Sequence, residues 1–449
     1  MYNTDLDKRL MPLNLVSEFS EIVKYLDDGT AMVQYCALEK HFSIAKAKDY
    51  SFSNCDPVLG ISIGGSSTKV MLCRTIDGVF RGIALVAENN PSEMCSFHEF
   101  LDKILMDSPQ ICEYLTESET VCVGISMPMA MRDGVPFHAT KVETLSGLIA
   151  RNDEDLKVIP TIEDNFKAYI SKYNSNANVV FKCQSDATVA HLGAVAVSSG
   201  LRLQDKSFLA VCGTGFATSD ENNYISPTLV SHHLDDDELY PLSDTENGQF
   251  MYAVAGKGIY AIMRRAISIA SKSYDAGEGL ENAEKYFLNR KATKLVFDLW
   301  SISACNAKVD RNLSSVRDDL GELVFDELVR IANPIGNRAV NALAASIVAT
   351  MLHSGTPENN GNTYIYFEGS IATNPYVLSK IKLAIKSLIH NDDLYKQIGK
   401  KQPKLPIVDV DTAAVLPSDD GIESEMLKEI DFSVIGACAL AITQGIILR

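Results

Sequence analysis

The chain has 449 residues, a length that predicts two or three domains and excludes a single small module. Its 41 Lys and Arg stand against 58 Asp and Glu, and the resulting net charge of −17 argues against nucleic acids and anionic membranes as partners. With 46 % hydrophobic and 22 % charged residues, the composition is typical of a folded globular protein and excludes a largely disordered one.

The cysteines and the two ends of the chain favour a cytoplasmic protein. The 10 cysteines form no Cys-x-x-Cys pair, so we expect reduced thiols rather than disulfides or a zinc site. The first residues lack the basic and apolar regions of a secretory signal. The apolar stretch Phe432–Leu448 is interrupted by polar residues and glycine, which predicts a buried terminal helix rather than a membrane span.

The first half of the chain predicts a helix followed by a sheet. Apolar residues at helical spacing in residues 1–50 stop at Asp27–Gly29, which predicts an N-terminal helix. Short β-rich runs, an amphipathic helix and a further buried strand follow. These elements are the strands Val58–Ile63, Lys69–Cys73 and Gly78–Val86, the helix Ser96–Met106 and the strand Thr120–Ile125. Their order is that of a ribonuclease-H-like unit.

The same order begins again in the second half. A hydrophobic run at Ser207–Cys212 leads into a glycine turn, and long helices are predicted at Gln249–Ser271 and Asn337–His353. Two related α/β units would account for the length. We therefore expect an α/β protein of two ribonuclease-H-like domains with a cleft between them.

Two glycine turns follow hydrophobic strands. The first contains Gly64, Gly65, Ser66 and Ser67, and taken alone it is either a hairpin turn or a phosphate site. The second contains Gly213, Thr214 and Gly215. Because glycines let the backbone approach an anion, two such turns suit one nucleotide held between two domains.

An aspartate stands where a further predicted strand meets a helix. The strand-like run from Ala177 ends at Asp186, which begins a helix of small residues. Asp186 is either the N-cap of this helix or a general base at the domain cleft.

These three segments, in this order and spacing, resemble the hexokinase family of sugar kinases, whose fold is actin-like. The resemblance covers about residues 10–449, and the chain is identified as a divergent, fungal-type member. Further segments resemble the family's sugar-binding and adenosine-side motifs. They are Ser126–Pro128, Ala139–Lys141 and Asp244–Phe250 on the sugar side, and Phe367–Ser370 and Pro417–Gly421 on the adenosine side.

The resemblance implies an ATP- and Mg²⁺-dependent hexose kinase that acts on the 6-hydroxyl, with Asp186 as general base and Lys141 holding developing charge. The implied sugar-binding residues are Ser126, Thr140, Lys141, Ser185, Asp186 and Glu246. The implied nucleotide-binding residues are Gly64, Gly65, Ser66, Ser67, Lys69, Gly213, Thr214, Gly215, Gly369 and Ser370. No resident metal ligands are assigned.

The resemblance also implies domain boundaries. A small domain would span residues 56–188, with the terminal helix 432–449 packed on it. A large domain would take residues 1–55 and 189–431.

Some positions depart from the family pattern. Ser62 stands where the family has an Asp that helps to hold hydrated magnesium, Ser185 and Ala217 each replace an Asn, and Met251 aligns with a sugar-binding Glu. Two interpretations follow. Either the enzyme accepts a bulkier hexose, such as N-acetylglucosamine, or the chain is a catalytically impaired, sugar-binding regulatory protein.

Overall fold

A computed structural model describes residues 6, 9–10, 14–28, 36–37, 54–65, 67–128, 131–137, 144–198, 204–213, 216–221, 223–225, 239, 255–273, 277–288, 292–355, 361–371, 374–402, 407–410 and 430–447. Its strands are β1 (Cys36–Ala37), β2 (Cys55–Ile63), β3 (Ser67–Ile76), β4 (Val79–Asn89), β5 (Cys95–Ser96), β6 (Thr120–Met127), β7 (Met131–Arg132), β8 (Val135–Pro136), β9 (Leu145–Ser146), β10 (Asn178–Ser185), β11 (Lys206–Cys212), β12 (Phe216–Ser219), β13 (Asn223–Ile225), β14 (Thr363–Glu368) and β15 (Ile407–Val410). Its α-helices are α1 (Leu15–Asp28), α2 (Phe97–Leu105), α3 (Pro109–Glu117), α4 (Ile162–Ser171), α5 (Asp186–Val197), α6 (Gly256–Ser273), α7 (Gly277–Glu284), α8 (Ala292–Cys305), α9 (Arg311–Leu320), α10 (Glu322–His353), α11 (Pro375–Ile389), α12 (Asp392–Gln397) and α13 (Phe432–Ile447).

The first sheet has five strands in the order β10-β6-β2-β3-β4. β2, β3 and β4 form an antiparallel meander, whereas β6 and β10 continue the sheet parallel to β2. The predicted strands and the predicted helix in this half are confirmed. The helix α2 begins where Ser96 caps it, because the Ser96 side chain and Glu99 form a reciprocal capping box.

The second sheet repeats this order. Its strands run β1-β13-β12-β11-β14-β15, so that β11, β12 and β13 form an antiparallel meander and β14 and β15 lie parallel to β11. Only the short edge strand β1 has no counterpart in the first sheet. The prediction of two related ribonuclease-H-like units is confirmed by this shared topology.

Helices cover both faces of the first sheet. On one face α2, α3 and α4 supply fully buried side chains such as Phe100, Ile111 and Phe166. On the other face lies α13, which the sequence predicts as a buried terminal helix; its described side chains up to Thr443 are all buried. The small residues of α13 bring it close to the strands, and Cys438 Sγ lies 3.5 Å from the carbonyl oxygen of Met71.

The second core is built around the long helix α10. Side chains from α1, α6 and α8, including Phe19, Ile267 and Trp300, pack in the same hydrophobic cluster as α10. The predicted start of this helix at Asn337 is wrong, because α10 begins at Glu322 and continues through Pro334. It is also the one helix in the described residues long and apolar enough to cross a membrane; 83 % of its apolar window is buried inside the protein, as in a core helix.

The helix α5 lies between the two sheets. It follows β10 of the first sheet directly, and its side chains Ala190 and Ala194 share a buried cluster with Leu209 and Tyr366 of the second sheet. Its opposite side touches α13, where the backbones of Gly193 and Gly436 are in contact. The domain boundaries at residues 56 and 188 stay a prediction.

Candidate functional site

A row of polar side chains crosses the first sheet near the carboxyl ends of its parallel strands. The strand register pairs Ser62 with Lys69 on one side and with Ser126 on the other, and Ser126 in turn with Gln184. Side chains paired in this way point to the same face of a sheet. Here that face is covered by α13, because Lys69 Nζ donates to Asp431 Oδ2 (2.7 Å) directly before the helix begins.

Asp186 is the first residue of α5 and lies at the same edge of the sheet. Ser185 takes the N-cap position, so the interpretation of Asp186 as the N-cap is wrong. Asp186 is half-buried, and its Oδ1 accepts a hydrogen bond from the amide of Ala187 (2.8 Å). A carboxylate suits this position because the amides at a helix N-terminus carry partial positive charge.

Two serines accompany this carboxylate. Ser126 is fully buried, and its Oγ has no hydrogen-bond partner in the described part of the chain. Ser185 Oγ donates to Thr188 Oγ1 (3.0 Å) within the first turn of α5. Because an unpartnered buried hydroxyl costs about 1–3 kcal/mol, Ser126 retains hydrogen-bonding capacity that a ligand could use.

The first glycine turn joins β2 to β3 as a hairpin. The amide of Gly64 donates to the carbonyl oxygen of Ser67 (2.8 Å), and Gly65 and Ser67 are half-buried beside it. Asn90, which the sequence analysis did not single out, holds this turn: its Nδ2 donates to Gly64 O (2.8 Å) and its Oδ1 accepts from Thr68 Oγ1 (2.8 Å). A role of this turn in phosphate binding stays a prediction.

A cradle of glycine backbone lies at the carboxyl edge of the second sheet. Gly213 follows β11, Gly369 follows β14, and the two glycines approach each other closely. The amide of Gly256, which begins α6, donates to Gly213 O (2.8 Å). At Gly369 only glycine fits, because φ is +95° and a Cβ would lie 2.6 Å from the carbonyl carbon of Cys212. Ser370, next to it, is exposed.

The side chain of Glu368 joins the second sheet to α13, the helix that covers the first sheet. It ends β14, and its Oε1 accepts a hydrogen bond from Ser433 Oγ (2.5 Å) in the first turn of α13. Its Oε2 is inaccessible to solvent and has no hydrogen-bond partner among the described residues. Burial raises the pKa of Glu368 well above its ordinary value, and the carboxylates of Asp431 and Asp186 raise it further. The carboxyl edges of both sheets therefore meet at a group of three acidic side chains, Asp186, Glu368 and Asp431, which we call the acidic centre.

The structure thus brings most of the predicted residues together in two groups. Ser126, Ser185, Asp186, Gly64, Gly65, Ser67 and Lys69 lie at the edge of the first sheet, and Gly213, Gly369 and Ser370 lie at the edge of the second. The predicted residues Ser66, Thr140, Lys141, Thr214, Gly215 and Glu246 lie outside the described residues. Four side chains were not singled out, namely Asn90, Glu368, Asp431 and Ser433. The position of Asp431 directly before an apolar helix is the signal that could have indicated it.

The described residues offer no metal cage. None of their His, Cys, Asp and Glu side chains form a group of three that could hold a metal ion. Asp431 is already bonded at both oxygens, because Val434 N donates to Oδ1 (3.0 Å) and Lys69 donates to Oδ2. The expectation of Mg²⁺ stays a prediction.

The acidic centre predicts a pH-dependent stability. Above about pH 4.3 the unfolded chain loses the Glu368 proton while the folded chain keeps it, so the free energy of unfolding falls with rising pH by up to about 1.4 kcal/mol per unit. Glu368→Gln removes this titratable carboxyl group. We expect urea denaturation to show that this variant gains stability over the unmodified chain as pH rises from acidic to neutral values.

The matched control for this experiment is Glu163→Gln on α4. Glu163 forms an exposed pair with Lys167 (2.6 Å), and we expect its substitution to change stability by less than about 1 kcal/mol at every pH. A difference between Glu368→Gln and the unmodified chain that stays constant with pH would contradict the prediction.

Two solved hexokinase structures share this fold over nearly the whole chain. One, described as a crystal structure of hexokinase, superposes with a TM-score of 0.61 at 14 % sequence identity and covers 98 % of both chains. The other, hexokinase from Schistosoma mansoni complexed with glucose, gives a TM-score of 0.60 at 12 % identity and also covers 98 % of both chains. No protein-family model and no curated protein sequence matches the chain significantly.

Proposed function

We propose that this chain, which has the fold of the hexokinases, is a sugar kinase that transfers the γ-phosphoryl group of Mg-ATP to the 6-hydroxyl of a hexose. The observation that carries the proposal is that the carboxyl edges of the two sheets lie together. Asp186, Ser126 and Ser185 lie at the edge of the first sheet, and the glycine cradle lies at the edge of the second. The hydrogen bond between Glu368 and Ser433 joins the two edges. Ligands of open α/β sheets bind outside such carboxyl edges.

In this proposal each residue of the site has a separate role. Asp186 takes the proton of the sugar hydroxyl as its oxygen attacks the γ-phosphorus, and the bond from that phosphorus to the bridging oxygen of ADP breaks. Ser126 supplies a hydrogen bond to the sugar. Thr140, Lys141 and Glu246 are proposed as further sugar contacts, with Lys141 near the developing charge. Because this reaction needs positioning more than covalent chemistry, a set of fixed polar groups suffices.

The nucleotide side is proposed on the glycine cradle. Gly213 and Gly369 present backbone without side chains, so a nucleotide can approach it closely. The N-terminus of α6 begins at Gly256 beside them, and a helix N-terminus favours phosphate. ATP therefore fits the residues present, and the turn at Gly64–Ser67 with Lys69 is proposed to face its phosphates.

A second candidate function is sugar binding without turnover. The observation that favours it is the ion pair between Lys69 and Asp431. The kinase proposal assigns Lys69 to the phosphates of ATP, whereas in the structure its charge is paired with a carboxylate. Ser62 beside it supplies no carboxylate on the magnesium side. In this alternative the chain binds a hexose as a regulatory protein.

A coupled ADP-release assay with Mg-ATP separates the two functions. The panel contains glucose, fructose, mannose, glucosamine and N-acetylglucosamine, since the departures from the family pattern leave the hexose open. We expect turnover on at least one sugar. If no sugar gives turnover above the background, while calorimetry still detects sugar binding, the kinase proposal fails and the regulatory function stands.

A further inference from the structure

A fully buried histidine joins α5 to the second sheet. His191 lies five residues after Asp186, and neither it nor its serine partners are exposed to solvent. Its Nε2 lies 2.9 Å from Ser207 Oγ on β11, and its Nδ1 lies 3.1 Å from Ser219 Oγ on β12. Both ring nitrogens are therefore bonded, each to a different strand of the sheet.

Each of the two serine hydroxyls has a further acceptor besides the ring. Ser207 Oγ donates to Glu221 Oε1 (3.0 Å), an oxygen that also accepts from the amide of Ser207 (2.8 Å). Ser219 Oγ donates to the carbonyl oxygen of Asp220 (3.0 Å). A hydroxyl has one hydrogen, and carboxylate and carbonyl oxygens only accept. With both serine hydrogens assigned to these acceptors, both imidazole nitrogens face serine lone pairs, and only the doubly protonated ring can donate to both.

We propose that His191 is a buried imidazolium that clamps α5 to β11 and β12 and so acts as a positioning residue for Asp186. The protonation state is assigned from these hydrogen-bond partners. Glu221, 4 % exposed, carries the balancing charge and reaches the ring through Ser207. The catalytic consequence rests on the proposed function, whereas the protonation state does not.

The surroundings of the ring are acidic. Asp205 precedes β11 and Asp220 follows β12, and both are buried. Tyr366 on β14 has its ring centroid 6.3 Å from that of His191. Burial raises the pKa of Tyr366, and Glu221 and Asp205 raise it further, so this hydroxyl stays neutral and bonds to Ser198 Oγ (2.7 Å). Of these carboxylates, that of Glu221 is hydrogen-bonded to a partner of the ring, and its charge would stabilise a cation there.

The clamp acts close to Asp186. Five residues of helix correspond to about 7.5 Å along the axis, so the clamp lies in the middle of α5, less than one and a half turns from Asp186. Because its two hydrogen bonds run to two strands, they fix both the height of the helix above the sheet and the direction in which the first turn faces. A shift of about 1 Å in a catalytic group can cost about 100-fold in rate.

Nitrogen NMR of the ligand-free chain, labelled at its histidines, tests the protonation state. His191→Gln identifies the signal of His191, and if that variant does not fold, Ser219→Ala identifies it by the shift of Nδ1. We expect both ring nitrogens to carry protons at neutral pH. In Glu221→Gln, which keeps the shape but removes the charge, we expect the ring to be neutral at the same pH. A neutral ring in the unmodified chain, with the Ser219 hydrogen turned to Nδ1, would overturn the proposal.

The ADP-release assay tests the positioning role. We expect Glu221→Gln to lower kcat at least about tenfold, to leave the KM for ATP unchanged and to move the pH profile of kcat. Ser198→Ala, at the far end of α5, is the matched control and should leave kcat unchanged. If the ring proves to be an imidazolium but kcat does not fall, the positioning role is wrong. If the unmodified chain shows no turnover, the kinase proposal fails while the NMR result still decides the protonation state.

Discussion

Asp186→Asn is expected to lower kcat for the hexose by about 10²–10⁴-fold, because it removes the proposed proton acceptor and keeps the size of the side chain. The amide still accepts the hydrogen bond from Ala187, so the first turn of α5 should be unchanged. Affinity for the sugar, measured by calorimetry, should change little. The ADP-release assay measures the rate, and single-turnover experiments separate the chemical step from product release.

The matched control is Asp393→Asn on α12. Its side chain is 85 % exposed, and it makes the same change of charge far from the acidic centre. We expect full activity from this variant. Turnover by Asp186→Asn at the rate of the unmodified chain would exclude Asp186 as the general base, whatever sugar the chain accepts.

Gly436→Ala is expected to lower the free energy of unfolding by about 3 kcal/mol, the upper end of what overpacking costs. The added Cβ would collide with the carbonyl oxygen of Val189 and would lie 2.6 Å from its carbonyl carbon and 3.0 Å from Gly193 N. All three atoms are backbone of α5, so no side chain can turn away to relieve the contact. Urea denaturation of the two proteins measures the difference.

Gly279→Ala is the control for this substitution. A Cβ at Gly279 also meets an atom at 2.8 Å, but that atom is the Val324 Cγ2 methyl group, which can move. The better helix propensity of alanine, about 1 kcal/mol, offsets the contact, so we expect a change within about 1 kcal/mol. Equal stability of Gly436→Ala and the unmodified chain would show that α5 and α13 can separate at little cost.

The sequence was sufficient for the elements whose signals are local. The alternation of β-rich runs with turns located β2, β3 and β4, and the aspartate after a strand located the start of α5. The start of α10 was missed because Pro334 and Gly336 look like the boundary of a helix. In the structure Gly336 lies inside it, where the ring of Trp300 occupies the space a side chain would need. Packing between distant residues overrides the local signal there.

The acidic centre could not be predicted from the sequence for the same reason. Glu368 and Ser433 are 65 residues apart, and Lys69 and Asp431 are 362 residues apart. No spacing rule connects such pairs, since they meet only when the second sheet is placed against α13. The clamp around His191 depends likewise on three separate elements.

The close contact between Gly193 and Gly436 marks the crossing of α5 and α13. Asp186 lies seven residues from this crossing and Asp431 five, distances of roughly 10 Å and 8 Å along their helices. A 10° swing of one half about the crossing would carry Asp186 through only about 2 Å, whereas atoms 30 Å away would travel about 5 Å. A rotation about this crossing would therefore displace the outer rims of the two halves more than twice as far as it displaces Asp186.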